Sequence, residues 1–80
     1  MLILDKDKTT IVNTDTMLYL CASNAPFGLE DGYRDILVSI SADENAITLG
    51  EYKEERAFEI IAEIMKKAEV GARTYELPRE

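Results

Sequence analysis

Two carboxylates near the start of the chain carry the residue types and spacing most suggestive of chemistry. The segment "LILDKDKT" places Asp5 and Asp7 two residues apart, directly after a short apolar run, with Thr9 behind them. At the end of a strand, a first Asp in such a pair can attack phosphorus as a nucleophile. The second can then give or take the proton.

An apolar run followed by Asp-x-Asp-x-Thr is how haloacid-dehalogenase-type phosphotransferases begin. That chemistry needs the nucleophile at the carboxyl end of a central parallel strand. Lys and further acids must arrive from neighbouring strands, each reached through a crossover of a dozen or more residues. This chain has one convincing helix, and it comes after the strands. The catalytic turn also usually carries Gly where Lys8 stands. Asp5 and Asp7 are therefore read as part of a charged hairpin turn between two edge strands, where Lys discourages edge-to-edge pairing. A small phosphotransferase or hydrolase using them stays as a minor alternative.

The other groups that could do chemistry fare no better. A calcium loop started at Asp5 would have Thr10 in place of the required Gly and Thr16 in place of the closing Glu. The chain has no His and one cysteine, Cys21, so a zinc site lacks ligands and a nucleophilic thiol lacks its base. Cys21 sits in "LYLCAS" and reads as a small strand residue. "SADE" at 41–44 matches a capping box, but β-branched residues follow, which favours a turn. "GLEDG" at 28–32 has two Gly, yet its acids would repel a phosphate. The pairs Glu30/Asp31, Asp43/Glu44 and Glu54/Glu55 read as solvated charge, with nothing to split their pKa values. No catalytic, cofactor-binding or metal residue is assigned.

The elements that would position any site read as follows. Met1–Leu4 and "TTIVN" are short strands around the "DKDK" turn. "MLYLCAS", residues 17–23, is apolar on both alternating sets and should be covered on both faces. Residues 24–33 should form a loop, with a Pro and two Gly in "NAPFGLEDG". "YRDILVSIS" and "ITLGEY" make the clearest hairpin, with Ile36, Val38, Ile40, Ile47 and Leu49 facing inward. The period then changes to three and four. Ala57, Phe58, Ile61, Ile64, Met65 and Ala68 mark one face of a helix over about 53–69, which Ile60 widens. Its N-cap is poor, so tertiary packing must hold that end, and Gly71 is its natural stop. The tail, 72–80, either lies along the sheet or hangs free.

Length and composition bound the rest. The 80 residues are read as a single domain with a small core. An apolar fraction of 46% is too high for a disordered acidic tail. The net charge of −7 is spread along the chain, −3 over residues 1–40 and −4 over 41–80. That leaves no basic stripe for direct nucleic-acid binding and argues against an anionic membrane surface. With no signal peptide or membrane span visible, the expected setting is the cytoplasm.

At "DKTTIVN", "ITLGEY", "ERA" and "YELP" the chain resembles a group of short uncharacterised proteins from Gram-positive bacteria and their phages and prophages. The resemblance covers residues 7–77, with the 24–33 loop as its variable part. This chain departs from the pattern in having Leu2 where an aromatic is common, and in lacking a Ser or Thr cap after Tyr52. The resemblance implies a fold and a setting, and no activity. Within it the position of Asp5 varies while "DKTT" recurs, which fits turn chemistry.

The expected architecture is α+β: an antiparallel β-meander of four to five short strands, with one C-terminal amphipathic helix packed on one face. The helix should offer Phe58, Ile61, Ile64 and Met65 to the sheet. The expected function is that of a small non-catalytic intracellular protein of phage or mobile-element type, acting through protein–protein contacts. An acidic DNA mimic, occupying a nucleic-acid-binding protein, is an alternative that the charge supports. A second apolar sheet face implies self-association, most simply a homodimer, with Met17, Tyr19, Leu37 and Tyr33 as candidate interface residues.

Overall fold

The computed structural model describes residues 1–23, 32–42 and 45–79. Most of the 24–33 loop, the pairs Glu30/Asp31 and Asp43/Glu44, and Glu80 lie outside the described residues.

The fold is α+β, with six short strands and one helix among the described residues. A hairpin of β1 (Leu2–Leu4) and β2 (Ile11–Asn13) is followed by β3 (Tyr19–Ala22), β4 (Tyr33–Ser39) and β5 (Ile47–Lys53). Helix α1 (Glu54–Glu69) and a last strand, β6 (Thr74–Glu76), complete the chain. The strands form two three-stranded sheets, ordered β2-β1-β6 and β3-β4-β5. The second sheet is the expected antiparallel meander.

The first sheet corrects two expectations. There is no single meander of four to five strands, and the helix is not the last element. The tail lies beside β1 as a parallel strand, pairing Leu2 with Thr74, Ile3 with Tyr75 and Leu4 with Glu76. β1 is therefore central in its sheet, not an edge. The long excursion through β3, β4, β5 and α1 supplies the crossover that a parallel pair requires. Alternation explains the gain: Val12, Ile3 and Tyr75 stand in one row across the sheet, and all three are buried.

Both sheets and the helix share one apolar core, in which Ile3, Ile36, Val38, Ala57 and Ile60 are fully buried. The helix face is rotated from the expected one. Ala57, Ile60 and Ile64 point into the core, while Phe58 and Met65 are 51% and 63% exposed. Ile40, expected to face inward, is also exposed.

Two local features tie the layers together. The first N–H of the uncapped helix, that of Glu54, donates to the Gly32 carbonyl at 2.7 Å. Arg34 also clamps the Glu54 carboxylate, from Nε at 2.8 Å. These contacts hold the end that lacks a side-chain cap. The register of β4 on β5 shifts between Ile36 and Leu37, which face Gly50 and Thr48 and leave Leu49 as an extra residue. The carbonyl of Leu49 accepts the Lys6 N–H at 2.8 Å and so joins the two sheets. At the other end of the helix, Gly71 takes a positive φ of 73° and its N–H bonds the Ala68 carbonyl, which is the expected stop.

Candidate functional site

Asp5 is buried inside the β1–β2 turn that it organises. Its carboxylate accepts the backbone N–H of Thr9 at 2.8 Å and of Thr10 at 3.2 Å, and the Thr9 hydroxyl at 3.2 Å. Its own N–H donates to the Thr10 carbonyl. Lys8 completes the turn at φ 62°, in the left-handed region. Asp7 is exposed on the same turn. Three donors of the turn itself thus engage the carboxylate, two on Oδ1 and one on Oδ2.

Burial alone would raise the Asp5 carboxyl. The donors from Thr9, Thr10 and Lys8 outweigh it and leave the group below the ordinary 3.8. Glu63 is also lowered, from 4.5: the Tyr75 hydroxyl donates to it against the opposing effect of burial, and Arg56 adds a further contribution. Burial, then the Glu63 contact, raises Tyr75 in turn. For both acids the folded state holds its proton less tightly than the unfolded chain does. Their stabilisation is present above the ordinary values and is lost as pH falls through the lowered ones. The melting temperature is expected to drop as pH is lowered through about 4 and below. The drop should be shallower in Asp5→Asn and in Glu63→Gln, as followed by circular dichroism. Slopes identical to wild type in both variants would show that neither carboxylate is coupled to folding.

The four candidate interface residues do not form one cluster. Tyr19 and Cys21 stand opposite Ser39 and Leu37, on the face of the second sheet turned away from the helix. Leu20 and Ala22, the other parity, pack on the core. Tyr19 and Leu37 therefore share the outer face. Met17 instead packs against the core, where with Met1, Leu20, Ile61 and Met65 it lines an apolar groove beside the helix. Tyr33 sits at the start of β4, opposite Lys53, by a different feature.

That feature is a cleft of 420 Å³ at the edge of β5, lined by Lys6, Tyr33, Glu51, Tyr52, Lys53 and Arg56. Three segments far apart in sequence build it: the β1–β2 turn, the β4–β5 strand ends and the first turns of α1. Lys6 Nζ lies 4.6 Å above the Tyr52 ring and donates to the Glu51 carbonyl at 2.9 Å. The Tyr52 hydroxyl donates to the Pro78 carbonyl at 2.6 Å, which fixes the ring. Arg56 is held by Glu59 and Glu63. Beside the cleft, burial raises the carboxyl of Asp35, which pairs with Glu51 in register. Sequence reasoning missed this convergence, because no short motif links Lys6 to Arg56.

Among the described residues, no group of three or more His, Cys, Asp or Glu side chains is placed to hold a metal ion. No helix there is long and apolar enough to cross a membrane. No protein-family model, curated protein or solved structure matches this chain.

Proposed function

We propose that this chain acts by protein–protein contact and not by catalysis, in a phage or mobile-element setting, and that its first partner is a second copy of itself. The observation that carries the reading is the outer face of the second sheet, where Tyr19, Cys21 and Leu37 lie outside the core and Tyr19 is 51% exposed. The use of the Asp5 carboxylate within its own turn supports the non-catalytic part. The resemblance to short phage and prophage proteins supports the setting. Less supports an acidic nucleic-acid mimic: Glu54, Glu59 and Glu63 are already paired with Arg34 or Arg56.

A stable interface takes about 800 Å² from each partner, so three side chains are not enough. The polar positions around them, including Thr48 and Glu51, must form the rim. Sedimentation equilibrium at micromolar concentration is expected to give about twice the 9.0 kDa chain mass. Leu37→Glu should return the chain to a monomer with its circular dichroism unchanged, since a charge would be buried without a partner. A wild-type species of 9.0 kDa that does not change with concentration would overturn the self-association.

A further inference from the structure

We propose that the cleft at the β5 edge is a binding site for a small phosphorylated ligand with a planar ring, of the size and class of a nucleoside monophosphate. The site borders the proposed self-association surface at Glu51 but needs no partner chain.

Charge is the first argument. The chain carries 9 Lys and Arg against 16 Asp and Glu, yet three of the cations and one of the acids line this cleft. Arg56 is balanced by Glu59 and Glu63, so the cations left to the cleft are Lys6 and Lys53, against one lining carboxylate, Glu51. Free donors are the second argument. Among the described residues the Lys53 ammonium and the Tyr33 hydroxyl make no hydrogen bond or ion pair, and the two residues face each other across β4 and β5. Lys6 has spent one donor on the Glu51 carbonyl and keeps two. Two ammonium groups and a phenol give a phosphate dianion several charge-assisted donors. Arg56, tied to Glu59 and Glu63, is a wall of the cleft and not a donor to the phosphate.

The remaining lining selects the rest of the ligand. Tyr33, half-buried, offers aromatic surface for a planar ring, while Tyr52, buried and fixed by its bond to Pro78, forms part of the cleft wall. Glu51 contributes a carboxylate with no ion pair among the described residues, an acceptor suited to sugar hydroxyl or amino donors. A volume of 420 Å³ is at the small end for ligand sites, which run from about 300 to 1,000 Å³, so it suits one nucleotide and not two.

Titration of the ¹⁵N-labelled protein with adenosine monophosphate at low salt tests the site. Saturable shifts are expected at the amides of Tyr33, Glu51, Lys53 and Arg56. Lys53→Gln, at an exposed position with no packing role, should weaken binding about tenfold by removing a charged donor. Lys66→Gln, in the last turn of the helix, should leave it unchanged. Inorganic phosphate and adenosine, titrated separately, should each bind more weakly than the nucleotide. Equal binding by phosphate would overturn the ring contact, and equal binding by adenosine would overturn the phosphate contact. Equal weakening by both lysine variants, or no saturation by about 10 mM nucleotide, would overturn the site as a whole.

Discussion

Ile60→Ala is expected to lower stability by about 3 kcal/mol, whereas Phe58→Ala, which removes a larger side chain from the same helix, should cost less than about 1 kcal/mol. The two residues lie about 200° apart around the helix axis. Ile60 is fully buried in the core between the helix and the second sheet, so truncation leaves a cavity that a small core cannot close. Phe58 is half exposed, with the Arg34 guanidinium 5.2 Å from its ring centre. Its loss forfeits one cation–π contact and little burial. For a domain of this size, each kcal/mol moves the melting temperature by about 4–8 °C. Thermal melts should therefore separate the variants by more than about 8 °C. Equal losses would mean that the helix presents the face its sequence period favours, centred between Phe58 and Ile61.

The same pair of residues shows why the helix was only partly legible. Positions 57, 58, 60, 61, 64, 65 and 68 form an apolar stripe wider than one sheet can cover. The period announces a helix and its burial. It does not say which edge of the stripe is left in water, because the Arg34–Glu54 clamp and the Gly32 carbonyl set the roll of the helix from outside it. The β4–β5 hairpin was legible because seven-residue strands carry enough alternation to be seen. The extra residue at Leu49 was not, since a bulge changes pairing without changing composition. The parallel β1–β6 pair was the hardest to read. Each strand has three residues, their partners are over 70 positions apart, and a single buried row of Val12, Ile3 and Tyr75 carries the pairing. The turn at Asp5 could be read from its polar residues, but not that the carboxylate inside it would be buried. The cleft was invisible for a related reason: its cations come from a turn, a strand end and a helix, and only the sheet-to-sheet junction at Leu49 brings them together.

Gly50→Ala is expected to destabilise the fold by about 2 kcal/mol, and Gly50→Val by about 3 kcal/mol or more. The reason is space, not backbone freedom, since Gly50 lies within β5 and has no positive φ. A Cβ at this position would come within 2.8 Å of Tyr52 Cε2, 3.0 Å of Lys6 Cβ and 3.2 Å of the Tyr52 hydroxyl oxygen. None of these atoms retreats cheaply. The Tyr52 ring is 3% exposed, tethered through its hydroxyl to Pro78 and covered by the Lys6 ammonium. The Lys6 Cβ is fixed by the backbone bond from Lys6 to Leu49. The lower unfolded-state entropy of either replacement offsets part of the cost, by about 0.4–1 kcal/mol for alanine, and the two further methyl groups of valine make its figure the larger. A double-mutant cycle isolates the ring. In a Tyr52→Leu background, Gly50→Ala should cost less than about 1 kcal/mol in denaturant unfolding, because the nearest obstacle is gone and only the Lys6 contact remains. An unchanged penalty in that background would place the strain on the Lys6 side, making the β1–β2 turn, and not the tyrosine, the reason glycine is needed in "LGEY".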